Sequence, residues 1–342
     1  LVHVLPRTAL GNFPTPVERL KRLGRGKIWI KRDDKTSDIY GGNKVRKLEF
    51  ILADVLKKNK KKVVTFGGIG TNHGLATAIF CKQLGIDCRL LLFNQPVTEN
   101  VKHNIRLFTH YGAEQIYLGS LFNTALSYYT IERIHNPGAY FLFAGGSSPV
   151  GTAGFVNAAF ELKSQVDAGE LPEPDVIVCP LGSGGTLAGL TLGVALAGLK
   201  STVAGIRVTP SHLGPFQACT RETVMELVHR THRLLRRLVP GVAEITIRPP
   251  LIIDDYYGDG YGCATKECVE AMNLMQSHEH ITLDPTYTSK TFAAILDFCD
   301  GPPFIGKTIL YWHTYNSVDL HHFSDSVNPG TIPVQLREFL YM

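Results

Sequence analysis

Short apolar runs alternate with stretches of helical period along most of the chain. Lys62–Phe66 reads as a strand leading into a helix over Asn72–Leu84, and Cys88–Phe93 as a strand leading into a helix that reaches Ile105. Further strands are expected at Gln115–Leu118, Tyr140–Phe143, Val176–Pro180 and Val203–Val208. Strands that alternate with helices in this way form parallel sheets covered on both faces, so the fold class is α/β. No repeat or flexible linker punctuates the rhythm, which by itself sets a smaller α/β domain over 45–155 inserted in a larger one made of 1–44 and 156–342.

Composition narrows the reading. In 342 residues, 44% hydrophobic content can fill a large core, and 33 glycines without a collagen-like period belong in loops. The net charge of +5 is dispersed except at KKNKKK (57–62) and HRTHRLLRR (229–237). Neither run is interleaved with aromatics, which argues against a nucleic-acid surface. The first run reads as a solvated helix end. The second is the wet face of an amphipathic helix whose apolar stripe is Val224, Leu227, Val228, Leu235 and Leu238. Seven cysteines, at 81, 88, 179, 219, 263, 268 and 299, include no Cys-x-x-Cys pair, so neither a disulfide framework nor a metal site is expected. No apolar run is long enough for a membrane span, and LVHVLPRTALGNFPTP lacks the layout of a signal peptide. A cytoplasmic setting is expected; the chain does not open on Met, so a few leading residues are expected before it.

Four clusters carry candidate chemistry. In Tyr40-Gly41-Gly42-Asn43-Lys44-Val45-Arg46-Lys47, two glycines allow a turn and Asn43 is a candidate N-cap for the Arg46 amide. A helix then starts at Lys44, with Val45, Leu48, Leu52 and Val55 as its apolar stripe. Lys44 and Lys47 project side by side near the positive helix end, where two ammonium groups repel unless an anion joins them or one loses its proton. A phosphorylated aldehyde meets both conditions, whereas a lone lysine pair on a surface helix is the plainer alternative.

Gly67-Gly68-Ile69-Gly70-Thr71-Asn72-His73 joins a strand to a helix and suits a carboxylate or phosphate, although His73 breaks a dinucleotide-binding glycine pattern. Gly182-Ser183-Gly184-Gly185-Thr186 stands in the same setting; it lacks a P-loop ending, and the reading is divided between a phosphate cradle and a tight turn. The fourth cluster, Leu283-Asp284-Pro285-Thr286-Tyr287-Thr288-Ser289-Lys290 with Tyr261 upstream, is dense in hydroxyls.

Taken in order, GGNKVRKLE, GGIGTNHGLATA, CPLGSGGTLAGL and LDPTYTSKT resemble the D-cysteine desulfhydrase and 1-aminocyclopropane-1-carboxylate deaminase family, from about Pro14 to His313. The resemblance implies the tryptophan synthase β-subunit fold (fold type II), with two open twisted, mostly parallel sheets, and pyridoxal 5′-phosphate as cofactor. It makes Lys44 the Schiff-base lysine, and sets Lys47 and Gly182, Ser183, Gly184, Gly185 and Thr186 on the phosphate, with Asn43 and Asn72 flanking the cofactor. It also implies catalytic roles for Thr71, Tyr261 and Tyr287. Thr71 stands where the family has serine, which meets the substrate carboxylate or helps move a proton. Thr71, Asn72, His73 and Thr314 become substrate contacts, and Thr288 faces the pyridine nitrogen. Threonine at 288, Asn72-His73 and His313-Thr314 lean to the desulfhydrase branch, hence to α,β-elimination on a small amino acid such as D-cysteine. Ring-opening deamination and a non-catalytic ligand-binding homologue are the alternatives. A homodimer is usual in such families. Tyr315-Asn316 depart from the two glycines commonly found there.

Overall fold

The structure, a computed structural model, describes residues 5–213, 216–238, 240–242 and 244–342. The chain divides into two compact units. The larger comprises Leu5, Gly11–Phe50 and Ser147–Ser317; the smaller comprises Pro6–Leu10, Ile51–Gly146 and Val318–Met342. The joins expected at 44/45 and 155/156 thus compare with changes of unit at 50/51 and 146/147, and the C-terminal 25 residues belong to the smaller unit. Residues 1–4 of the expected first segment lie outside the described residues.

The larger unit is built on a six-stranded sheet in the order Val17–Arg19, Lys27–Arg32, Thr308–His313, Val176–Leu181, Thr202–Arg207, Leu251–Ile253. Only the edge strand Val17–Arg19 is antiparallel to its neighbour. Val176–Leu181 is buried at every position, as a central strand covered on both faces must be. Two apolar cores result, one on each face. One gathers Phe155, Leu187, Leu190, Val228, Leu235 and Trp312, the other Ile28, Ile30, Phe292, Ile295 and Tyr311. Trp312 and Tyr311, consecutive on one strand, thus fall in opposite cores, as period-two alternation requires. Each side chain of this size that leaves water contributes about 1.5–3 kcal/mol.

The smaller unit carries a four-stranded parallel sheet in the order Glu114–Gly119, Asp87–Phe93, Lys62–Gly68, Tyr140–Phe141. Helices Asn72–Gln83 and Glu99–His110 connect its strands, close to the expected positions. The lysine run does end a helix: Lys44–Lys57 stops, Asn59 takes a left-handed φ of 52°, and the strand begins at Lys62. In the larger unit, the amphipathic helix spans Arg221–Leu238 with Val224, Leu227, Val228 and Leu235 buried. Leu238, expected in the stripe, is exposed because it is the helix's last residue.

Candidate active site

In the larger unit, the turn before Lys44 is shaped by its neighbours. Gly42 has φ of +90°, and a Cβ there would lie 2.8 Å from the Thr314 carbonyl oxygen and 2.9 Å from that of Tyr315. Only glycine fits so close an approach. The Gly42 amide donates to Asp33 O at 2.8 Å, the Asn43 amide to Thr314 O at 3.3 Å, and the Gly41 amide to Asn316 Oδ1 at 2.7 Å. The departure at Tyr315-Asn316 therefore gives the turn a side-chain brace.

Lys44 emerges half-buried from this turn. Its Nζ donates to Asn43 Oδ1 at 3.1 Å, and Asn43 Nδ2 donates to Thr186 Oγ1 at 3.2 Å. Asn43 was expected to cap the Arg46 amide. Its oxygen takes the ammonium instead, because a charged donor makes the stronger bond. Burial draws the Lys44 pKa down to about 8, against the pull of Asp284, so a reactive neutral amine exists near neutral pH. Lys47 is almost wholly buried, and burial followed by repulsion from Lys44 pushes its pKa well below the ordinary value.

Gly182–Thr186 links the strand Val176–Leu181 to the helix Gly185–Ala197, with Gly184 in a left-handed conformation at φ of +82°. A Cβ on Gly185 would lie 2.6 Å from Ser147 Oγ and 2.8 Å from Lys47 Nζ. The Gly185 amide donates to Ser147 Oγ at 3.1 Å, and that hydroxyl donates to Ser183 Oγ at 2.7 Å. An ammonium, two hydroxyls and a helix N-terminus thus meet beside a glycine with no side chain. A phosphate group fits this donor set in charge and in hydrogen-bonding capacity.

Tyr261 and Tyr287 share a hydroxyl–hydroxyl bond of 2.6 Å, with ring centroids 5.9 Å apart and edge-on. Burial raises both phenol pKa values. Asp284 organises the segment that carries Tyr287 and Thr288. It accepts from the amides of Thr286 (2.9 Å), Tyr287 (2.8 Å) and Thr288 (3.0 Å), and from Thr288 Oγ1 at 2.6 Å. Thr314 is half-buried and meets the Gly42–Asn43 turn through its carbonyl.

Thr71, Asn72 and His73 belong to the smaller unit. Thr71 caps its helix, accepting from the Gly74 amide at 3.2 Å. Asn72 Oδ1 accepts from Asn104 Nδ2 at 2.9 Å, and the same nitrogen donates to Gly70 O at 2.8 Å. Thr71 and Asn72 are half-buried at the turn, whereas His73 is buried, with Nε2 3.0 Å from Thr65 Oγ1. Its ring serves the interior of its own unit.

Sequence reasoning gave no role to Ser147, to Asp284 within its cluster, to Asn104 or to Gln95, which accepts from the Gly70 amide at 3.2 Å. Of these only Asp284 left a local signal, Asp-Pro-x-x-Thr before a helix.

A model of the pyridoxal-phosphate dependent enzymes matches residues 8–314. The chain belongs to this family. A Pyrococcus abyssi protein, provisionally named a 1-aminocyclopropane-1-carboxylate deaminase, is 33% identical over 338 residues, 96% of each chain. The D-cysteine desulfhydrase of Serratia proteamaculans is 30% identical over 335 residues, covering 90% of this chain and 93% of its own. Among solved structures, an "ACC deaminase homologue" superposes with a TM-score of 0.79 at 31% identity, over 94% of this chain and 95% of the other. Serine racemase from Dictyostelium discoideum, at 18% identity and a TM-score of 0.60 over 90% of this chain and 93% of its own, shares the fold. The protein is thus a pyridoxal-phosphate dependent enzyme of fold type II, in the branch that carries the deaminase and desulfhydrase names. Among the described residues, no helix is long and apolar enough to cross a membrane.

Proposed function

We propose that this enzyme carries out α,β-elimination on a small amino acid, with D-cysteine yielding pyruvate, ammonia and sulfide. The carrying observation is the convergence of Lys47, Ser147 and the Gly185 amide beside Lys44, one turn of helix away. In this reading Lys44 binds the cofactor's aldehyde carbon. Lys47 with Gly182, Ser183, Gly184, Gly185 and Thr186 holds its phosphate, Asn43 flanks it, and Thr288 meets its ring nitrogen. Once bound, pyridoxal phosphate supplies an electron sink for the charge left when the α-proton departs.

The protein's own part is proton management. Lys44, with its pKa near 8, is able to accept a proton and return it. The hydroxyls of Tyr261 and Tyr287, bonded to one another, pass a proton towards the departing β-substituent. Thr314 contributes a hydroxyl to the substrate.

Ring opening of 1-aminocyclopropane-1-carboxylate is the second reading, favoured by the name of the Pyrococcus abyssi relative. Absorption spectra of the purified protein before and after D-cysteine, with pyruvate and 2-oxobutyrate assayed together, separate the two. Pyruvate with a shifted visible band supports elimination; 2-oxobutyrate from the cyclopropane substrate, with D-cysteine untouched, overturns it.

A further inference from the structure

We propose that Lys290 is a positioning residue, whose buried ammonium clamps the loop Tyr257–Gly262 and so holds the Tyr261 hydroxyl against that of Tyr287. The inference rests on the reading of these two tyrosines as site residues. Lys290 lies in the helix Thr288–Asp300 with its side chain wholly buried. An ammonium taken out of water costs free energy unless acceptors replace the water. Two backbone carbonyls of one loop do so: Nζ donates to Tyr257 O and, at 2.9 Å, to Gly260 O. The same nitrogen stands 5.3 Å from the centroid of the Tyr257 ring.

The loop needs such a clamp. Gly258, Gly260 and Gly262 all have positive φ, at 64°, 154° and 82°, so the backbone follows no regular ladder. The backbone bonds at its two ends are long, Tyr257 N to Asp254 O at 3.2 Å and Cys263 N to Gly260 O at 3.3 Å. Tyr261 follows directly on the Gly260 carbonyl that Lys290 grips. Tyr287 is fixed independently, through its amide on Asp284. The two phenols therefore meet only while both anchors hold, and Lys290 is the anchor of the Tyr261 side.

The test uses the cofactor-loaded protein with Lys290→Met and, as a milder change, Lys290→Gln, whose amide can still reach one carbonyl. Amide hydrogen exchange across 256–264 is expected to quicken at least about tenfold in Lys290→Met and less in Lys290→Gln, while 292–300 stays protected. Unchanged protection across 256–264 in both variants overturns the proposal. Turnover of D-cysteine, or of 1-aminocyclopropane-1-carboxylate if only that is consumed, is expected to fall roughly 100-fold in Lys290→Met. Tyr261→Phe should add almost nothing to that loss, since Lys290 acts through Tyr261; fully additive losses show a general structural role and overturn the idea. A wild-type protein that takes up no cofactor would refute the functional reading instead, and the exchange comparison on the unloaded chain would still decide the clamp.

Discussion

Arg46 grips Asp33 through two parallel hydrogen bonds, Nε to Oδ2 at 2.8 Å and Nη2 to Oδ1 at 2.7 Å, with both side chains buried. Trp312 Nε1 donates to the same carboxylate at 2.7 Å, and Arg46 also donates to Glu161 through Nη1 and Nη2, each at 2.9 Å. Arg46 is two residues past Lys44, so this knot fixes the first turn of the helix that presents the amine. Arg46→Met leaves Asp33 and Glu161 buried beside a lone Lys31, and should destabilise the larger unit by about 3–5 kcal/mol, read from urea unfolding. An unchanged midpoint would mean the knot contributes specificity alone.

Acid should loosen the same knot. Burial alone would raise the Glu161 pKa, but Arg46 and Lys31 hold it down to about 2. A carboxyl depressed in the folded state stabilises fully above its unfolded value of about 4.3, and that contribution is lost as pH falls through the folded value. Stability on the order of 3 kcal/mol should therefore disappear between about pH 5 and pH 2. Glu161→Gln should flatten that limb of the curve of unfolding free energy against pH.

Lys44→Ala should abolish the visible chromophore of the reconstituted protein; a persisting band would transfer the role to Lys47. In the wild-type apoprotein, the rate of chromophore formation should climb as pH rises through about 8, where the neutral amine becomes the major form. Asp284 raises this pKa, so Asp284→Asn should move the midpoint to lower pH.

Burial, then repulsion from Lys44, disfavours the charged form of Lys47. Lys47→Met should leave the apoprotein as stable or more stable, yet weaken cofactor binding by at least about tenfold through the lost charge-assisted bond. Gly185→Ala should weaken it similarly, since its methyl would crowd Ser147 and Lys47. Cofactor titration beside thermal melts separates the two effects.

What could be read from the sequence was local. Strands with continuous apolar runs, glycine turns between strand and helix, and adjacent lysines at a helix start all announce themselves within ten residues. Partners far along the chain do not. Glu161 is 115 residues from Arg46, and Asn316 is 275 from the Gly41 amide that it braces. His73 stands in a polar turn, and helical periodicity carries its ring into the interior beside Thr65. Asn43 obeyed the cap rule in sequence and lost to a nearby ammonium in space.

The place of Thr308–His313 between Lys27–Arg32 and Val176–Leu181 bears on how the protein is made. The middle of the larger sheet is its last strand to be synthesised, so early and late parts of that sheet must wait for each other on the ribosome. The smaller sheet has all four strands within 62–141 and can close long before. Until residue 313 emerges, the apolar edges of Lys27–Arg32 and Val176–Leu181 have no partner, and nascent chains stalled in that interval should be the ones most dependent on chaperones.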